Sequence, residues 1–248
     1  MVQLEDSMTE RQMRILQAIV EQYSEVAVPV GSVMLAKLFA VSSATIRNEM
    51  AVLESLGLIE QPHTSAGRIP TDKGYRTYVN HLLDSQKNET KPAKSHLRSR
   101  QAFARQLQAS CGTTSNLIRQ AVRGLADMTD NLAFATIGEQ IYTSGLSNLL
   151  SQPDFEDRDS LLALSHLIDD LEPWLQEVAP NEIMNVFIGS ENPIGKASGA
   201  TLIVSRFDSP YSSHSYIGVI GSTRQSYAKV MRLVEQTGLI LQEVLSEQ

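Results

Sequence analysis

The sequence predicts an α+β fold in two parts: a small helical domain closed by a β-hairpin, then a longer domain of mixed helices and strands. Three observations carry that reading. Thr9-Glu10-Arg11-Gln12 is a capping-box pattern ahead of a helical apolar stripe. Residues 42–56 read as an amphipathic helix, with Gly57 where a left-handed cap belongs and a short hairpin directly after it. Farther along, residues 183–188, 201–207 and 216–220 are apolar runs enriched in β-branched or aromatic residues, with helical patterns before and after them.

The elements can be justified in order. The first helix carries Ile15, Leu16, Ile19, Val20 and Tyr23 on one face. Pro29-Val30-Gly31-Ser32 leads into a short helix over residues 33–39, and Ala40-Val41 turns tightly into the third. Ser42 is placed to cap that helix, since its hydroxyl can accept a hydrogen bond from a first-turn N–H. Ile46, Met50, Leu53 and Leu56 form its buried stripe. This three-helix order is that of a helix-turn-helix domain. Residues 58–61 and 68–70 flank the loop 62–67 as the strands of a wing. Thr71 then caps a closing helix with Tyr75, Tyr78, Val79 and Leu82 facing inward.

The outer face of the third helix points to duplex DNA. It carries Ala44, Arg47, Asn48, Ala51 and Ser55, with Ser43 and Thr45 at its N-terminal tip. Arg can grip a guanine edge through two hydrogen bonds, and Asn can do the same for adenine. Small neighbours such as Ser43 and Ala44 let the backbone approach a groove. An ordinary surface helix can also carry a solvated Arg–Asn pair, and the adjoining turn and wing are what favour a groove. The expected recognition residues are therefore Ser43, Ala44, Thr45, Arg47, Asn48 and Ala51. His63, Thr64, Ser65 and Arg68 are expected at or near the wing tip, against flanking phosphates or the minor groove.

The winged helix-turn-helix is expected to occupy residues 1–84, with a basic linker over 85–96 and the second domain over 97–248. Between Lys87 and Arg123 stand eight basic residues and one acid, in a chain of net charge -7. The segment reads either as a further phosphate-binding stretch or as a solvated linker followed by a surface helix. In the second domain Ala102, Leu107, Leu117, Ile118, Val122 and Leu125 suggest one or two helices, ahead of an apolar stretch over 132–137. Residues 161–175 form another helical region with acids outside, and Ser222 or Thr223 is placed to cap a terminal helix carrying Tyr227, Val230, Val234 and Leu241. Strands preceded and followed by helices give a sheet covered on one face.

No catalytic, cofactor or metal site emerges. Residues 189–197 nearly fit a phosphate loop, but Ala197 stands where a hydroxyl is needed, and a strand follows where a helix should. Residues 218–224 read as a tight strand-to-helix turn, a geometry that can also hold an anion. Cys111 has no histidine near it in sequence, and as the single cysteine it favours a reducing compartment. His63, His81, His96, His166 and His214 show no paired metal spacing. Glu156, Asp157, Asp159, Asp169, Asp170 and Glu172 read as a solvated acidic face. With no long apolar run and no apolar leader, the expected location is the cytoplasm.

Several strings carry a family resemblance. They are Thr9-Glu-Arg-Gln, the PVGS of residues 29–32, the SSATIRNEM of 42–50, residues 58–71, the IYTSGLSNLLSQPDF of 141–155, the IGSEN of 188–192 and the IGVIGSTR of 217–224. Together these resemble HrcA, a family of bacterial heat-inducible transcription repressors. The resemblance implies a truncated GAF-like α+β domain after the winged helix, an inverted-repeat operator upstream of chaperone genes, a homodimer, and activity dependent on the GroE-type chaperonin. It also implies a departure. Family members carry a long insert, including a dimerisation domain, where Ala135-Thr136-Ile137-Gly138 here runs almost directly into Ile141. Ser222 and Gln225 replace the Pro and Met of a GPTRM-like string.

Three functions from different classes follow: a repressor of heat-shock genes, a ligand-sensing regulator whose GAF-like domain binds a small effector, and an enzyme placed by its DNA-binding module. The missing catalytic constellation counts against the third. For the first, a domain that has lost part of its sheet and is left with an incompletely covered apolar face supplies a physical motive for chaperonin dependence, with residues 183–188 and 201–207 as the expected exposed strands.

Overall fold

The computed structural model describes residues 8–64, 66–88, 113–178, 182–194 and 196–246, and the chain divides into two compact units. The first contains α1 (Glu10–Val26), α2 (Ser32–Phe39), α3 (Ser43–Ser55), β1 (Ile59–Glu60), β2 (Ile69–Pro70) and α4 (Asp72–Asn88). The Thr9 capping box forms as its sequence dictates: Gln12 N–H donates to the Thr9 hydroxyl at 3.2 Å, and Thr9 N–H donates to the Gln12 side chain at 2.9 Å. Ile15, Leu16 and Ile19 of α1 are fully buried with Leu35 of α2, Ile46 and Leu53 of α3 and Val79 of α4. Tyr78 is buried beside them and donates its hydroxyl to Glu21 at 3.1 Å. Burial first, and then the Glu21 carboxylate, push that phenol well above its ordinary pKa.

Both ends of α3 follow the sequence. The Ser42 hydroxyl accepts from Thr45 N–H at 3.1 Å. At the other end Gly57 adopts φ 71, Gly57 N–H donates to the Glu54 carbonyl, and Leu58 N–H donates to the Leu53 carbonyl. Those two bonds make a Schellman cap. α4 begins where Thr71 was expected to cap it, with Gly74 N–H donating to the Thr71 hydroxyl at 3.1 Å. It also runs on through Asn88, so residues 85–88, read as the start of a linker, are helical. Gln86 and Lys87 propagate a helix well, and no breaker stands among them. Of the expected basic linker only that helical stretch falls among the described residues. Lys91, Lys94, Arg98, Arg100, Arg105, His96, Ala102, Leu107 and Cys111 lie outside them.

The second unit contains α5 (Thr114–Thr129), β3 (Leu132–Ile137), β4 (Gln140–Ser144), α6 (Leu146–Leu150), α7 (Arg158–Val178), β5 (Met184–Phe187), β6 (Ala200–Ser209), β7 (Ser212–Ser222) and α8 (Tyr227–Ser246). Its five strands form one antiparallel sheet in the order β4-β3-β7-β6-β5. One face packs on α5 and α8. There the Thr201 and Tyr227 hydroxyls meet at 3.3 Å, and Gly238 lets α8 lie close over Ile217. On the other face Leu132, Phe134, Leu202, Val204 and Ile220 cluster with Leu149 of α6, with Phe155, and with Leu164, Leu167, Leu171 and Leu175 of α7. Trp174 of α7 meets Phe187 edge-on, with ring centroids 5.2 Å apart.

The expectation of a sheet covered on one face is therefore corrected: both faces are covered. Residues 201–207, expected as an exposed strand, include Leu202, Ile203 and Val204, all with no exposed surface. Of residues 183–188, Ile183 is 71% exposed but Ile188 is fully buried. The continuous apolar run of β6 reads in retrospect as a strand buried on both sides. β4 was not anticipated as a strand. It pairs with β3 through the two-residue turn Gly138-Glu139, and Gly138 supplies φ 60 at the first turn position. The chain thus passes from β3 to β4 with no room for an insert.

The cap expected at Ser222 or Thr223 is also corrected. Ser222 is the last residue of β7, paired with Ala200, and the helix begins at Tyr227 after a bend over residues 223–226. The tight strand-to-helix turn read at 218–224 is thus extended strand as far as Ser222. Ser222 N–H donates to the Gln152 side-chain oxygen at 3.0 Å, a bond that a proline there could not make. The Gln152 amide donates in turn to the Asp130 carbonyl and to Asn131 Oδ1, both at 2.9 Å. A side chain at Gly221 would collide with that Asn131 amide, so a larger residue there would displace Asn131 from its bond with Gln152.

Candidate nucleic-acid interface

Sequence and cap fix which face of α3 looks outward. Ile46, Met50 and Leu53 are buried, so Ala44, Arg47, Asn48 and Ala51 stand on the opposite side, and all four are exposed. Ser43 and Thr45 are half-buried at the tip, where the Thr45 hydroxyl lies 2.9 Å from the Ser42 hydroxyl. Thr45 is thereby partly engaged in the cap. Arg47 extends toward the start of α2, and its Nε–H donates to the Ser32 hydroxyl at 3.4 Å. Glu49 faces back toward α1, accepting from the Gln12 amide at 2.9 Å. A cleft of about 410 Å³ opens between these elements and the wing, lined by Ser32, Val33, Arg47, Met50, Gly67 and Arg68 among others.

The wing is a hairpin with only two residues in each strand, Ile59 facing Pro70 and Glu60 facing Ile69. Its loop is folded on itself: the Gln61 amide donates to the Thr64 and Ala66 carbonyls, each at 3.0 Å, and Ala66 N–H donates to the His63 carbonyl at 2.8 Å. His63 and Thr64 are exposed at the tip as expected, and Ser65 lies outside the described residues. Arg68 lies elsewhere. It sits at the wing base, where its Nε–H and Nη2 reach the same Glu54 oxygen at 3.0 and 2.9 Å. Its backbone exchanges two hydrogen bonds of 2.9 Å with Val30.

The structure brings the six α3 residues onto one end and face of a helix, and the tip residues onto the adjoining wing. It gives Arg68 a different place from the tip. Sequence reasoning passed over Ser32, Glu54 and Gln61. A Glu on α3 followed by an Arg across a hairpin was the one available sign of the Glu54–Arg68 pair. Nothing in sequence marks Gln61 as the residue that organises the loop.

A family model described as the HrcA protein C terminal domain matches residues 71–231, and one described as a winged helix-turn-helix transcription repressor, HrcA DNA-binding, matches residues 7–89. The chain belongs to the HrcA family. Relatives named heat-inducible transcription repressor HrcA include those of Desulfitobacterium hafniense, 29% identical, Bacillus pumilus, 28% identical, and Alkaliphilus metalliredigens, 27% identical. Each alignment spans 96% of this chain and 98% of the relative. The Alkaliphilus alignment runs over 336 positions and this chain has 248 residues, so at least 88 positions of that HrcA have no counterpart here.

A crystal structure described as that of a hypothetical protein covers 97% of this chain and 99% of its own, at 20% identity and a TM-score of 0.78. It shares the fold. HrcA proteins are DNA-binding regulators rather than enzymes, and the winged helix of residues 7–89 is the family's DNA-binding domain. Among the described residues no group of His, Cys, Asp or Glu is placed to hold a metal ion, and no helix is long and apolar enough to cross a membrane.

Proposed function

We propose that this HrcA-family protein is a cytoplasmic negative regulator of heat-shock genes that binds an inverted-repeat operator in duplex DNA and blocks transcription. The observation that carries the reading is the outer face of α3, where Arg47 and Asn48 stand exposed beside small residues that let the helix enter a groove. Asn48 has an adenine edge as its natural partner, and Arg47 a guanine edge once it leaves Ser32. Ser43, Ala44, Thr45 and Ala51 supply close approach, and His63, Thr64 and Ser65 supply the wing's contact with the flanking backbone. One winged helix covers a single half-site, so an inverted repeat calls for a homodimer, and the GAF-like domain is the body through which two copies would join.

Dependence on the GroE-type chaperonin is part of the same proposal and rests on the family resemblance. The exposed-sheet motive for it does not survive, because the sheet is covered on both faces. The decisive experiment is a gel shift of the full chain on an inverted-repeat duplex from a chaperone-gene promoter, with a scrambled duplex as competitor. Retention at a concentration at which the scrambled duplex runs free, with two symmetric protected half-sites in a footprint, is the expected result. Equal affinity for both duplexes overturns the reading. Adding chaperonin during refolding should raise the operator-binding fraction, and an unchanged fraction removes the chaperonin from the scheme.

A further inference from the structure

The geometry points to Glu54 and Gln61 as wing-positioning residues, with Arg68 as the latch through which Glu54 acts rather than a cation held free for phosphate. The inference rests on α3 and the wing being the DNA-binding face, and it names what fixes the angle between them.

The wing needs such a device because its own ladder is too short. Two residues per strand cannot hold a hairpin in water without further support. Burial of Ile59 and Pro70 anchors the strands on the core, and polar side chains hold the loop and the base. Gln61 spans the loop and ties the Thr64 and Ala66 carbonyls to the end of β1, which sets the shape of the tip. Arg68 then fastens the base on two sides. Its backbone bridges to Val30, ahead of α2, and the chain passes so close there that a Cβ on Gly67 would sit 2.4 Å from the Val30 carbonyl oxygen. Its guanidinium turns the other way, to Glu54 in the last turn of α3.

The Nε–H hydrogen bond gives this ion pair a defined direction, and Nη2 lies within ion-pair distance of the same oxygen. The Arg68 side chain is 21% exposed and that of Glu54 38%, so water screens the pair less than it screens a fully exposed one. The Nε/Nη2 edge of the guanidinium, the edge suited to a two-pronged grip on phosphate, is therefore occupied inside the protein. Removing either partner should let the wing swing away from α3.

The test measures operator affinity of the full chain across a salt series for wild type, Arg68→Met, Glu54→Gln and the double variant. It adds amide hydrogen exchange at Ala66 and Arg68 in the free protein. Each single variant should bind roughly fivefold more weakly, the scale of a partly shielded ion pair, and the double no worse than the weaker single. The slope of log affinity on log salt should stay at the wild-type value, and exchange at both amides should quicken in each variant. The inference is overturned if Arg68→Met lowers that slope by about one while Glu54→Gln binds at least as tightly as wild type, since that is the signature of a phosphate contact. Unchanged exchange in Glu54→Gln overturns it as well, without reference to DNA. If wild type prefers no inverted repeat, the operator reading fails, and quickened exchange in both variants still establishes the latch.

Discussion

The wing and the C-terminal sheet are both antiparallel β-structure, yet they hold their register by different means. In the sheet, β6 and β7 pair continuously from Ala200 opposite Ser222 to Phe207 opposite Ser215, and apolar side chains are buried on both faces. The wing has two residues in each strand, of which only Ile59 and Pro70 are buried, and Gln61 and the Glu54–Arg68 pair tie its loop and base. The difference follows from what each must leave open. On the proposed reading one face of the wing stays open to DNA, so burial can hold only its other face, and polar ties at its edges complete its shape. A sheet with helices on both sides can draw its register from burial alone.

The sharpest way to break this comparison is in the sheet. Leu202 has no exposed surface and belongs to the α7-side cluster together with Leu167 and Trp174. Leu202→Ala should lower the stability of the folded chain by about 2–5 kcal/mol in urea denaturation, because the surroundings cannot close the cavity fully. Glu60→Ala, on an exposed position of the wing ladder, should stay within about 0.5 kcal/mol of wild type. A cost at Leu202 below about 1 kcal/mol would mean that the face is not tightly closed.

Legibility in the sequence follows the same division. The winged helix was readable because its signals are local. Thr9, Ser42, Gly57 and Thr71 each act within a few residues, and each does in the structure what its position dictates. The exposed face of α3 was readable for the same reason, since three buried positions define the opposite side. The second unit depends on partners far apart in sequence. β4 is short and mostly exposed at a sheet edge, so it lacks the apolar signature that revealed β6 and β7. Ser222 looks like a cap in isolation and becomes a strand residue only because Ala200 lies opposite it. The Glu54–Arg68 tie stayed hidden because an Arg on a predicted wing suits phosphate just as well.

Specificity gives the next largest expected effect. Arg47→Ala should remove discrimination at one base position of each half-site, costing roughly 1–3 kcal/mol on the preferred operator and little on a variant changed at that base. Competition binding against a panel of single-base operator variants measures it. If Arg47→Ala keeps the wild-type ranking across the panel, Arg47 does not read a base, and the contrast between α3 as reader and wing as support loses its first half.

A smaller effect is expected at the α3 cap. Ser42→Ala removes the acceptor for Thr45 N–H and frees the Thr45 hydroxyl, which should cost about 1 kcal/mol of stability. The same change should weaken operator binding if, as proposed, the tip of α3 is both the cap and the approach to the groove. Denaturation and operator titration on one preparation separate the two consequences. A stability loss with unchanged affinity would show that the cap holds the helix without placing its reading face.

The smallest effect tests how the turns on either side of α3 are made. Both place a residue in the left-handed region: Ala40, with φ 54, before the helix, and Gly57, with φ 71, after it. Gly57 occupies that conformation without steric penalty, and nothing lies within 4 Å of where its Cβ would stand. Gly57→Ala therefore adds backbone strain without a clash, partly offset by a more restricted unfolded chain, and should destabilise by a few tenths of a kcal/mol to about 1. Ala40 carries that strain already. Its methyl is exposed, so Ala40→Gly sacrifices almost no packing. Relief of the strain, on the order of 1–2 kcal/mol, should outweigh the roughly 0.4–1 kcal/mol by which glycine frees the unfolded chain. The net expectation is a gain of a few tenths of a kcal/mol to about 1, read as a higher denaturation midpoint with an unchanged slope. A loss on Ala40→Gly would mean that the alanine restrains the unfolded chain more than the left-handed turn strains the folded one. The turn into α3 would then be held by its neighbours, as the wing is, rather than by its own backbone preference.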